Sequence, residues 1–195
     1  QAEDGIRDLV RSRGLGDVYK RQVVGDRVTS INWDSNGYRL PTESEWSWVA
    51  KLTKAGSTKV FPWNSPSYPP PFVSGNYADE SAKSMLPFTI SNYNDSFPVS
   101  ASVGSFQPNE KGIFNLSGNV AEWVNDFYEI RVNKSEPLVD YRGPNTGNRH
   151  VIRGASWALG SRSELRLSYR EPGNNGKIDV GFRIARYVDK PKGDL

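Results

Sequence analysis

Apolar residues along this chain fall into short clusters separated by long polar stretches, and one cluster has a clear helical period. In GYRLPTESEWSWVAKLTKAG (37–56), Trp46, Val49 and Ala50 stand at i, i+3 and i+4, on one face of a helix. Thr42 followed by Glu45 predicts a capping box at its start, Pro41 blocks extension backwards, and Gly56 marks the expected end. GIFNLSGNVAEWVNDFY (112–128) predicts a turn followed by a second short helix, with Asn119 and Glu122 as a further cap and box. FPVSASVGSF (97–106), HVIRGASW (150–157), SELRLSYRE (163–171) and VGFRIARYV (180–188) are strand-like. In the third of these, Leu165, Leu167 and Tyr169 alternate with Arg166, Ser168 and Arg170, one face in and one out. Residues 59–72 are too rich in proline for regular structure and predict a surface loop; 73–98 and 129–149 are polar loops. Short helices, scattered strands and long loops predict an α+β domain. Loops this long are usually functional or pinned by something, and with no disulfide to serve, a bound ion is a reasonable pin.

Composition sharpens that picture mainly by exclusion. Eighteen Gly, 13 Pro and six Trp favour a loop-rich domain with an aromatic core over a helical bundle. Cys is absent, so disulfides, thiolate metal sites and cysteine nucleophiles are excluded. The single histidine, His150, excludes a two-histidine iron triad and a histidine-rich zinc site, and leaves one candidate for a serine triad. The 25 basic and 22 acidic residues are interspersed, so the net charge of +3 gives no nucleic-acid footprint. No apolar run reaches membrane-spanning length.

The first segment stands apart. Residues 1–22 (QAEDGIRDLVRSRGLGDVYKRQ) lack a signal peptide's apolar core and resemble translated sequencing adapter, so they read as an artefactual or disordered leader before one domain over 23–195. Met85 is the only methionine, and Gln1 is not an initiator position.

GYRLPTESEW, GIFNLSGNVAEWVNDFY and HVIRGASW…VGFRIAR, in that order, resemble the formylglycine-generating enzyme family, the sulfatase-modifying factors. FPWN and VGSFQPNEKGIFN fit the linking segments, and the resemblance covers roughly residues 37–187. It implies a variant of the C-type lectin fold with short helices and small antiparallel sheets. Family domains begin well before the RLPTE motif, so the resemblance also implies an N-terminally incomplete domain.

Calcium takes several oxygen ligands, and FNLSGNVAEW offers Asn115 and Glu122 about a glycine turn. Helix capping by Asn119 and Glu122 is the structural alternative. The resemblance implies a calcium site at Asn115, Gly118, Val120 and Glu122, with Gly118 and Val120 acting through carbonyls. It implies a second at Asn76, Tyr77, Asp95 and Phe97, with Tyr77 and Phe97 acting through carbonyls. Active relatives oxidise a sulfatase cysteine to formylglycine with oxygen and a copper ion held by two cysteines. Those positions here are Leu159 and Glu164, so neither a copper nor an iron site is expected. Ser156, Trp157, Leu159, Glu164 and Arg170 are the candidate cleft-lining residues, and no catalytic residue is assigned. Arg153, Arg166, Arg170 and Arg183 either form an anion-binding wall or pair with Glu45, Glu122, Glu164 or Asp179 to hold loops.

Three functions compete. The first is a non-catalytic, calcium-stabilised module for a protein or peptide partner. The second is an oxidoreductase of the superfamily that needs further N-terminal residues or a partner chain. The third is a hypervariable ligand-displaying protein of the lectin fold. Calcium sites favour an extracytoplasmic setting, periplasmic or cell-envelope in a bacterium.

Overall fold

The computed structural model describes residues 21–24, 27–131 and 139–188. The leader predicted over 1–22 lies outside them except for Arg21 and Gln22, which open the first strand. The chain divides into two compact units, one comprising the described residues up to Leu40 and from Ile184 on, the other Pro41–Arg183.

In the first unit, β1 (Arg21–Val24) pairs antiparallel with β2 (Arg27–Ile31), with an irregularity between Gln22 and Val23. Arg39 and Ala185 form an isolated antiparallel bridge, each amide donating to the other's carbonyl at 3.0 and 2.8 Å. The Arg39 guanidinium lies over the rings of Trp33 and Tyr187, 5.5 and 4.8 Å from their centroids.

The second unit carries the candidate sites. The predicted capping box is present at α1 (Glu43–Lys51): the Thr42 hydroxyl accepts from the Glu45 amide, and Glu45 accepts from the Thr42 amide at 2.8 Å. The helix stops at Lys51, short of Gly56, with Leu52 as an extended C-cap. Trp46 and Ala50 are buried and Val49 packs beside them.

A four-stranded sheet has the order β5 (Arg170–Gly173), β4 (His150–Arg153), β3 (Ala121–Phe127), β6 (Val180–Phe182). β6 runs parallel to β3 and the other pairings are antiparallel, so the sheet is mixed. One core cluster joins Trp46, Leu116, Val124, Val151 and Leu167 under α1. A second joins Phe61, Trp63, Tyr77, Ile90, Tyr93, Ala155 and Leu165.

Four predicted elements differ. The helix expected over 119–128 is strand β3, so the capping box at Asn119 and Glu122 does not form. Residues 97–106 form turns, because the backbone of Ala101 pairs with the Asn119 amide in place of a strand: the Ala101 amide donates at 2.7 Å and its carbonyl accepts at 3.1 Å. SELRLSYRE buries Leu165 and Leu167 and exposes Arg166 and Ser168 as predicted, yet it does so through turns, and strand begins only at Arg170. The 59–72 loop is not confined to the surface: Phe61 and Trp63 stack at 4.7 Å inside the core.

Candidate functional site

Three segments converge on one residue. Asn119, held at φ 71°, donates its backbone amide to the Asn76 carbonyl and accepts the Trp157 amide on its own carbonyl, both at 2.8 Å. Its side-chain oxygen accepts from Ala101 and, at 3.2 Å, from the Asn76 amide group. The neighbouring Ser117 (φ 63°) accepts the Tyr77 hydroxyl on its carbonyl at 3.0 Å and the Ala155 amide on its Oγ at 3.1 Å. Both candidate calcium loops are thereby fastened to the RGASW segment. Residue-type reasoning missed this role because an asparagine hub has no periodic signature; its positive φ, which asparagine tolerates well, is the local cue.

The first candidate cation group is deeply buried. Asn76 and Tyr77 are fully buried and Asp95 nearly so. The Asp95 carboxylate accepts the Tyr77 amide at 3.0 Å and the Phe97 amide at 2.9 Å. Burial pushes its pKa up to about 6, opposed by these amides and assisted by the nearby charge of Asp79. The Asn76 Oδ1 is buried with no hydrogen-bond partner, although the Nδ2 of the same amide donates to Val99 and Asn119. A buried, partnerless oxygen in a loop whose next amide is held by a buried carboxylate fits a hard cation.

The second group fits in part. Both amide atoms of Asn115 are buried without partners, and Ser117, Gly118 and Asn119 all take positive φ, so the loop is tightly wound. Gly118 and Val120 form an isolated bridge. The Glu122 carboxylate, however, is already neutralised. Arg183 grips both its oxygens, Nε donating at 2.6 Å, and the Trp46 indole donates at 2.8 Å. A cation there would share Glu122 with a guanidinium. Among the described residues no three acidic or histidine side chains cluster, so either site must draw on amide and carbonyl oxygens.

The positions matching the copper cysteines do not suit copper. Leu159 has no ligand atom and packs against the aromatic cluster. Glu164 turns its carboxylate onto its own loop, accepting the Gly160 and Ser161 amides at 3.3 and 2.9 Å. Ser156 is buried, donating its hydroxyl to Asp179 at 2.7 Å, and Trp157 is buried on Asn119. Arg170 is not brought to these residues; it faces α1, with Nε 2.6 Å from Glu43 and its guanidinium over Tyr128. Arg153 lies fully buried over Trp46, donating to the carbonyls of Leu167, Ser168 and Tyr169. Arg153 and Arg170 pair with Glu43 and Arg183 pairs with Glu122, so these three arginines hold loops in place. His150 stacks on Phe127 and its Nδ1 meets the Asn125 carbonyl at 3.2 Å.

The family profile described as the sulfatase-modifying factor enzyme 1-like domain matches residues 22–188. The chain belongs to the sulfatase-modifying factor family. It is 31% identical over 179 residues to a formylglycine-generating enzyme of Streptomyces coelicolor, covering 85% of this chain and 54% of that protein. It is 28% identical over 189 residues to the mouse inactive C-alpha-formylglycine-generating enzyme 2, covering 86% and 51%. The sulfatase-modifying factor chain thus spans about half the length of these relatives. Among solved structures it is similar to Treponema denticola variable protein 1, with a TM-score of 0.61, 27% identity, and 83% of this chain and 50% of that one covered. The α+β, loop-rich fold expected from sequence is the fold of this family.

Proposed function

We propose that this domain is a non-catalytic member of the sulfatase-modifying factor family, a calcium-stabilised module that binds or assembles with a protein or peptide partner. The observation that carries the reading is the state of the two copper positions. One holds a partly buried leucine packed against the aromatic core, and the other holds a glutamate engaged by two backbone amides. Soft Cu(I) has no thiolate to bind. Similarity to an inactive relative supports the same reading. The Asn76–Asp95 group supplies the calcium ligands: Asn76 and Asp95 by side chain, Tyr77 and Phe97 by carbonyl. Asn115, Gly118, Val120 and Glu122 form the second, weaker set. Bound calcium would supply charge neutralisation and fix the loops, with no part in a reaction. The deciding experiment incubates the full-length protein with copper, oxygen and a cysteine-containing sulfatase peptide. Oxygen consumption is expected at the protein-free rate; turnover above it would reject the reading in favour of an oxidoreductase.

The similarity to Treponema denticola variable protein 1 favours one second reading, ligand display. The exposed positions Arg162, Ser163, Arg166, Ser168 and 174–178 would carry it, since their neighbours Leu165 and Leu167 are buried scaffold. Natural alleles differing only at those positions would favour it over a conserved partner surface.

A further inference from the structure

We infer that Asp79 is a working part of the Asn76–Asp95 cation site, holding Asp95 in place and supplying the second negative charge that draws a divalent cation there. Nothing in the family resemblance assigned this residue, and the inference rests on the calcium reading above. Asp79 is fully buried. One of its carboxylate oxygens accepts the backbone amide of Asp95; the other accepts the amide and hydroxyl of Ser81 at 2.9 and 2.5 Å. Asp95 in turn holds the amide of Tyr77, the residue that follows Asn76. Two buried carboxylates and the partnerless Asn76 Oδ1 therefore belong to one bonded loop pair.

Burying two carboxylates together is costly unless a positive charge meets them. Among the described residues no lysine or arginine forms an ion pair with either, although the chain has 25 basic residues. At the second candidate site Arg183 already meets Glu122, whereas the Asp79–Asp95 pair is open to an external cation. Hard divalent ions answer that charge, and their affinity rises with the anionic count of a site.

Asp79 also caps a short 3-10 turn (Glu80–Ala82), which is a sufficient structural reason for an aspartate. Asp79→Asn keeps one oxygen to cap the turn through Ser81 but removes the charge and the acceptor for the Asp95 amide, so it tests the cation role apart from the cap; Asp79→Ser offers the same comparison should the first variant fold poorly. Calcium is titrated calorimetrically into chelator-stripped protein, and Asp95→Asn identifies the binding step belonging to this site. The expected result is at least about tenfold weaker calcium binding in both Asp79 variants. Glu80→Gln, at an exposed neighbour, should bind as the wild type does. If the wild-type protein binds no calcium, the calcium reading itself fails. If the wild type binds and the Asp79 variants match it within about twofold, Asp79 is only a cap and this inference is overturned.

Discussion

Asp126 points inward from β3, and its carboxylate accepts the amide of Glu43 at the first turn of α1 at 2.7 Å. Burial raises its pKa from 3.8 to about 6; the Glu43 amide opposes the shift, and the charges of Glu43 and Glu45 add to it. The folded state therefore holds this proton more tightly than the unfolded chain does. Between about pH 4 and pH 6 folding takes up a proton, so Asp126 contributes stability at the low end and loses it as pH rises through 6. Asp126→Asn keeps an acceptor for Glu43 and removes the charge. Urea unfolding across that range should show the variant with a flatter pH dependence, and at pH 7.5 at least as stable as the wild type.

At the scale of elements, the turn by which the chain leaves β4 within RGASW depends on Gly154. Its φ is +80°, and a Cβ there would lie 3.1 Å from the Ser117 Cα and from the Trp46 ring. Gly154→Ala should cost on the order of 2 kcal/mol or more in chemical denaturation, since both the conformation and the space oppose it. α1 was legible because its capping box and apolar face agree. β3 was not, because its buried face carries Glu122 and Asp126 beside Val124, so hydropathy shows no alternation. The Leu165–Leu167 alternation was legible as burial but not as strand. Its amides are satisfied by Ser161 and Val60 carbonyls, not by a neighbouring strand. Of the candidate site, Asn115 was suggested by the residues of its own turn, and Asn76 and Asp95 by the resemblance alone. Asp79 and Asn119 were not, because their roles come from contacts between loops distant in sequence.

For the molecule as a whole, long loops must be held without disulfides. Arginine–carboxylate pairs fasten α1 and β6, while among the described residues no lysine or arginine pairs with the carboxylates of Asp79 and Asp95. Added calcium should raise the melting temperature and a chelator should lower it, by several degrees for binding well below the working concentration. Unchanged melting under both treatments would remove both calcium sites.

Asn119 has one more consequence, which concerns how these loops form. Its contacts with Asn76, Ala101 and Trp157 join segments 18 to 43 residues away from it in the chain. None of the three segments can supply the others' partners locally, so closing them requires long-range loop closure, which slows folding. The amides these contacts protect should then become ordered together and open together, as a single cooperative unit rather than as independent strings of coil.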